Sequence, residues 1–147
     1  MSRKITTIAV TGIAALTLAV TGATLAAAAP SASSHTLKFT SVQTAQSSVG
    51  KNKFVDSDKD VQNGKTIGYD VVDGAYHPKT HTITVDVAAG LKGGVLYLSG
   101  TGDVVSGKFT GKITGGTGTF KGVRGTVHGT ATGKQEQNEK LVIVYHH

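Results

Sequence analysis

Few residues in this chain have the chemistry to act on a small molecule. Asp70 and Asp86 are carboxylates set among Ile, Val and Tyr. Tyr97 is a phenol inside an apolar run, and His128 is an imidazole in the middle of an alternating segment. A carboxylate removed from water has a raised pKa and can exchange a proton near neutrality. An inward imidazole could serve as general acid or base. Asp70 and Asp86 alternate with apolar neighbours, so both read as facing solvent opposite a buried face. The parity of the strand around His128 does not settle which side that ring takes.

Three further patterns imitate known sites and each lacks a decisive residue. Asp56-Ser57-Asp58-Lys59-Asp60 resembles the start of a calcium loop, but Val61 stands where the turn needs Gly and Ile67 where a bidentate Glu is required. It reads as a solvated acidic loop. Residues 102–108 spell most of a phosphate loop, but Phe109 replaces the Ser or Thr, and no helix follows to supply free N–H groups. A hairpin turn is the better reading. The six histidines show no His-x-x-x-His pair on a helix, since His77 and His81 flank a turn with Pro78 between them, and the absence of cysteine excludes thiolate metal sites, disulfides and cysteine nucleophiles. No metal and no cofactor is expected.

Strands must position these groups. Residues 35–44 carry Leu37, Phe39 and Val42. Residues 50–64 are polar and read as a long connection, with a short strand around 53–55. Residues 66–73 put Ile67, Tyr69 and Val71 on one face. Residues 80–88 alternate Ile83, Val85 and Val87 with Thr82, Thr84 and Asp86, the period-2 signature of a half-buried strand. Residues 95–100 are apolar on both faces, as in a doubly buried strand. Residues 107–114 bring Phe109 and Ile113 together, 124–132 alternate again, 133–140 form a polar loop, and 141–145 make a last apolar strand. Seven or eight short strands and no helix in the mature chain indicate an antiparallel sandwich or barrel. Gly68, Gly111 and Gly129 fall inside strand patterns, where a barrel uses them to bend, and closure removes exposed edges. The expected fold is an all-β barrel.

The chain has 147 residues, enough for one domain. Residues 1–28 read as an export signal: Arg3 and Lys4, then an uncharged run rich in Ala, Leu, Ile and Val, then small residues, with cleavage after 28 or 33. Thr and Gly dilute the run, which argues against a permanent anchor. Residues 29–35 read as a short linker and 36–147 as the barrel. The mature protein is expected outside the cytoplasm and not membrane-bound. The net charge of +6 includes Arg3 and Lys4, and the remaining lysines are dispersed, with Arg124 the one arginine beyond the signal. Nucleic-acid binders cluster such residues, so nucleic acid is not the expected partner.

The most informative segment is Ile113-Thr-Gly-Gly-Thr-Gly-Thr-Phe-Lys-Gly-Val-Arg-Gly125. On physical grounds it is a glycine-rich corner between strands, with Phe120 as a plug for one end of the core. It resembles the Ile-Thr-Gly-Gly-Thr-Gly-x-aromatic-x-Gly-Ala-Arg-Gly signature of the dirigent and allene oxide cyclase barrel-like family. Gly64-Lys65-Thr66-Ile67-Gly68 and Gly94-Val95-Leu96-Tyr97-Leu98-Ser99-Gly100 resemble the family's two upstream glycine strands. The likeness runs from about Phe54 to Tyr145. It implies an eight-stranded antiparallel β-barrel with an apolar cavity, often in a homo-oligomer. Plant members cyclise an unstable allene oxide or guide the coupling of phenoxy radicals.

In such a barrel Tyr69, Tyr97, Phe109, Phe120 and Arg124 are the candidate binding contacts, beside Asp70, Asp86, Tyr97 and His128 as candidate catalysts. The lumenal Glu of the cyclases has no counterpart in an expected strand, because Glu136 and Glu139 fall in the polar loop. Thr119 stands where dirigent proteins often carry Asp. The leading expectation is a secreted barrel that binds a small apolar ligand without plant-type catalysis. The alternative is a cyclase, isomerase or stereodirecting protein acting on a small hydrophobic metabolite. The lumen discriminates them: convergent polar groups in an open apolar cavity favour chemistry, and a lumen filled with aliphatic side chains does not.

Overall fold

The computed structural model describes residues 33–133 and 137–147. The expected export signal, the linker residues 29–32 and Glu136 lie outside the described residues. The described residues form eight strands: β1 (His35–Ser48), β2 (Lys53–Gln62), β3 (Lys65–His77), β4 (Thr82–Leu91), β5 (Gly94–Asp103), β6 (Lys108–Gly116), β7 (Arg124–Thr132) and β8 (Asn138–His146). Each pairs antiparallel with the next, and β8 pairs back to β1, so the sheet closes into an up-and-down barrel. The all-β, eight-stranded expectation agrees with this architecture.

Side chains of period-2 strands point alternately into and out of such a barrel. Val85 on β4, Leu96 and Leu98 on β5, Phe109 and Ile113 on β6, Val127 on β7, and Leu141 and Ile143 on β8 are buried together. Phe120, on a single 3-10 turn (Gly118–Phe120), joins them from the connection between β6 and β7. Its ring meets Tyr145 edge-on at 6.1 Å between centroids, so one end of the barrel is stoppered by apolar groups. Gly118 lies at φ 58, and a methyl there would overlap the carbonyl oxygen of Gly93, which is why this corner needs glycine.

Two segments differ from the sequence expectation. Most of the polar stretch 50–64 is a ten-residue strand, β2, paired on both sides with β1 and β3. Aspartate is disfavoured in strands as a class, but a closed barrel needs a partner for the edges of β1 and β3, and β2 supplies it. The polar loop before the last strand is also shorter than expected. β8 begins at Asn138 and pairs with both β7 and β1, so Glu139 lies on a strand. The apparent phosphate loop is a hairpin turn, with Asp103 Oδ1 accepting from the N–H groups of Val105 and Ser106.

Candidate functional site

Strand β2 alternates Asp56, Asp58 and Asp60 with Val55, Ser57 and Lys59. The aspartates take the inner face. Asp56 and Asp60 are buried, Asp60 with 0% exposure, and Asp58 is partly buried. The register places Asp58 directly opposite Asp70 of β3, which is 4% exposed. On the other side, Ser41 of β1 reaches both carboxylates: its hydroxyl lies 2.9 Å from Asp58 Oδ2 and 3.3 Å from Asp70 Oδ2. One hydroxyl has one proton to donate, so it serves one of the two at a time. A bulge in β1 after Gln43 shifts its inward parity, and Gln43 and Gln46 both come within reach of Asp56. Glu139 of β8 completes the group, close enough to Asp58 and Asp70 for like-charge repulsion.

Burial is the leading cause of the electrostatics here. Desolvation pushes Asp58 up to about 6, with the charges of Asp70 and Asp56 adding to it. It pushes Glu139 up to about 7, helped by Asp58 and Asp70. Asp60 and Asp70 titrate as a coupled pair, both raised by burial, with Asp70 raised further because Asp60 is beside it. Such a pair holds a shared proton near neutrality, as two adjacent carboxylates cannot both ionise cheaply. Asp56 is raised by burial against the opposing pull of Gln46 and Gln43. Among the described residues, and apart from the proton shared by Asp60 and Asp70, five buried carboxylate oxygens find no hydrogen-bond donor: Asp56 Oδ1, Asp58 Oδ1, both oxygens of Asp60, and Asp70 Oδ1.

These groups edge a cavity of about 510 Å³ at the end of the barrel opposite Phe120. Asp56, Asp58, Asp70 and Glu139 form one side with Ser41. Val85, Val87, Leu98, Phe109 and Leu141 form the other. The volume is within the range of small-molecule sites, which combine apolar walls with a few convergent polar groups.

Of the residues singled out in the sequence, Asp70 and Phe109 line this cavity. Phe120 is buried at the opposite, closed end. Tyr69 is 64% and Tyr97 41% exposed, and Asp86, Arg124 and His128 are exposed as well, all on the outer face. The reason is strand parity. On β3 the inner row is Gly68, Asp70, Val72 and Gly74, which puts the apolar-looking row of Tyr69 and Val71 outside. On β5, Leu96 and Leu98 are inside, so Tyr97 between them is outside and that strand is not buried on both faces. On β7, Val127 and Gly129 are inside, so His128 is not. The expectation that Asp70 faces solvent is therefore corrected, as is the reading of residues 56–60 as a solvated loop. Sequence reasoning missed Ser41, Asp56, Asp58, Asp60 and Glu139. The strict i, i+2, i+4 spacing of the three aspartates was the available signal, since solvated loops have no reason to keep a strand period.

No protein-family model matches the chain, and no curated protein matches it by sequence. Solved structures do resemble it. Pyocyanin demethylase superposes with a TM-score of 0.65 at 20% identity, over 76% of this chain and 99% of that one. The pterocarpan synthase dirigent protein PsPTS1 gives 0.64 at 17% identity, over 78% and 96%. The pterocarpan synthase dirigent protein GePTS1 gives 0.64 at 16% identity, over 79% and 89%. At these identities the likeness is one of fold, and this chain has the fold of the dirigent proteins and of pyocyanin demethylase, a closed eight-stranded antiparallel barrel.

Proposed function

We infer that the barrel takes a small organic molecule into its lumen and moves protons on it, in the manner of an isomerase. The observation that carries this reading is the Asp58–Ser41–Asp70 cluster facing an apolar wall across the cavity. Convergent polar groups in an open apolar cavity are the feature that favours chemistry over simple retention. Two carboxylates whose surroundings set their proton affinities apart can act as acid and base together. Asp70, the more buried of the two and pressed against Asp60, holds its proton more tightly than Asp58. In the proposed step the un-ionised Asp70 gives its proton to an oxygen or nitrogen of the ligand. The Asp58 carboxylate takes a proton from carbon, and the C–H electron pair moves into the ligand's π system. Asp58 then delivers its proton to a different carbon of the conjugated system, and Asp70 recovers its proton from the ligand's oxygen or nitrogen, so the net change is an isomerisation with no oxidant or reductant. The names of the structural neighbours, a demethylase of pyocyanin and two pterocarpan synthases, attach the same barrel to small-molecule chemistry in those proteins. The site of action is taken to be outside the cytoplasm, as the pattern of residues 1–28 leads one to expect.

The test is proton exchange at carbon. The protein is incubated in D₂O with a compact enolisable ketone such as 2-tetralone, and deuterium uptake is followed by NMR. Positioned acid–base groups supply roughly 10²–10⁴-fold acceleration, and Asp58→Asn or Asp70→Asn should remove most of it. Equal uptake with the wild type and the Asp58→Asn/Asp70→Asn double variant would defeat the proton-transfer reading. The apolar wall from Val85 to Leu141 supports a second reading, retention of an apolar ligand without chemistry. A small molecule held in native mass spectrometry, with no exchange activity, would select it.

A further inference from the structure

We propose that the ligand of this lumen is an organic cation: a compact aromatic or aliphatic body carrying a positively charged nitrogen, seated with its charge among Asp58, Asp70 and Glu139 and its body against Phe109 and Leu98. This inference rests on the reading above that the lumen takes a small molecule, and it specifies the charge of that molecule.

The first argument is the balance of charge inside the barrel. Five acidic side chains point inward, from Asp56, Asp58 and Asp60 on β2, Asp70 on β3 and Glu139 on β8. Among the described residues no Lys, Arg or His is buried, and the one basic residue lining the cavity, Lys108, is exposed at its rim. Strands β4 to β7 contribute to the lumen only Asp103 and Lys108 as titratable groups, both exposed at the rim, and otherwise residues such as Val85, Leu98, Phe109 and Val127. Buried charge is normally paired, because an unpaired ion in low dielectric costs several kcal/mol. Among the described residues no such pairing group is buried with these acids.

The second argument is the unmatched oxygen at the cavity. Asp70 is 4% exposed and lines the space, and its Oδ1 has no donor. Asp58 Oδ1 and Asp56 Oδ1, on the same side, also lack one. Unsatisfied buried acceptors call for a donor. An anionic or acceptor-rich ligand would add repulsion at this point, whereas a charged nitrogen supplies both the donor and the missing charge.

The third argument is shape. Among the described residues no three acidic or imidazole side chains converge closely enough to hold a metal ion. The carboxylates instead line one side of a volume of about 510 Å³. The opposite wall contributes the Phe109 ring, and Tyr76 lies at the mouth. A flat cation gains from apolar burial and from aromatic faces together. A spread of acceptors along one wall of a cavity, facing an apolar wall, suits such a body better than a point ion.

The experiment compares three probes of nearly equal shape, 1-methylquinolinium, 1-methylnaphthalene and 1-naphthoate, titrated into the full-length protein by calorimetry or fluorescence. The expected order is the cation at least about tenfold tighter than the neutral hydrocarbon, and the anion weakest. Asp70→Asn and Asp58→Asn should bring cation and hydrocarbon close to parity while leaving the hydrocarbon's affinity in place, which also shows that the variants are folded. Cation affinity should rise from pH 5 to pH 8, by up to about tenfold per pH unit where one proton is released on binding. Asp56, Asp58, Asp60, Asp70 and Glu139 are the groups that lose protons. Hydrocarbon binding equal to or tighter than cation binding in the wild type overturns the inference and leaves the lumen reading standing. Binding of none of the three removes both.

Discussion

The carboxylate of Glu139 lies in the space that a side chain at Gly129 would occupy. A methyl group built on Gly129 would overlap Glu139 Oε1 and stand 2.9 Å from the Leu141 side chain. The two residues are on adjacent strands, β7 and β8, where Gly129 pairs with Leu141 and Glu139 with Ala131. The glycine in β7 therefore has a packing reason: it lets an acid from the next strand lie across the inner face of the sheet and reach Asp58 and Asp70.

Gly129→Ala is expected to push the Glu139 side chain aside and destabilise the barrel by about 1–3 kcal/mol, the usual cost of overpacking a core. Glu139→Ala in the same chain should recover much of that loss, because it removes the atom that clashes. Chemical denaturation of the two single variants and the double variant measures the coupling. Additive effects would show that the two residues do not share this space.

Stability should fall as pH rises through neutrality. Glu139 is raised to about 7 and Asp58 to about 6 by burial. Between their unfolded values and those folded values the native state binds more protons than the unfolded chain, so the pH derivative of stability is negative. The contribution is fully present below about pH 4 and is lost as pH passes about 6 to 7. A drop of about 2 kcal/mol between pH 5 and pH 8 is expected, smaller than the full shifts imply because the mouth of the barrel is open to water. Denaturation midpoints across that range test it, and Glu139→Gln should flatten the slope.

Asp60→Asn should stabilise the protein at pH 8 and have little effect at pH 5. Asp60 is fully buried, and apart from the proton it shares with Asp70 neither of its oxygens has a donor. An amide of the same shape removes the buried charge and can donate to Asp70. Replacing an unfavourable buried charge gains about 1–3 kcal/mol. Thermal melts of wild type and variant at the two pH values measure the difference, and destabilisation at pH 8 would mean that Asp60 has a partner of its own.

Asp86→Asn and His128→Ala should change neither lumen binding nor proton exchange, and should shift stability by no more than about 0.5 kcal/mol. Both side chains are on the outer face. Loss of probe binding in either variant would show that the outer wall takes part in the site.

Phe120→Ala should cost about 3–5 kcal/mol, the range for an aromatic truncated in a core. Phe120 stoppers the closed end against Tyr145. The carboxylates are at the other end, so the variant, where folded, should keep the cation preference in the three-probe titration.

Much of the fold was legible because a strand period is a local property. The alternation of Ile83, Val85 and Val87 marks β4 without reference to any other strand, and these residues do face inward. Phe109 and Ile113 pair on β6 for the same reason. The glycine-rich corner from Gly115 to Gly125 was also local, because its positive-φ positions accept little else.

The side each face takes was not local. A period of two defines two faces and is silent on which one is enclosed. On β3 the row with more apolar surface, Tyr69 and Val71, went outside, and the row of Gly68, Asp70 and Gly74 went inside. Close packing decided this: a methyl at Gly74 would overlap the Phe54 ring, and one at Gly68 would sit 2.8 Å from Leu91. The sequence by itself determined that the chain makes short antiparallel strands with a glycine corner and that acids recur at alternate positions in residues 56–60. Only closure of the barrel brought β1, β2, β3 and β8 together, and with them Ser41, Asp58, Asp70 and Glu139. Those residues are far apart along the chain, and their proton affinities depend on one another and on the water they lose. Neither quantity exists until the sheet has closed.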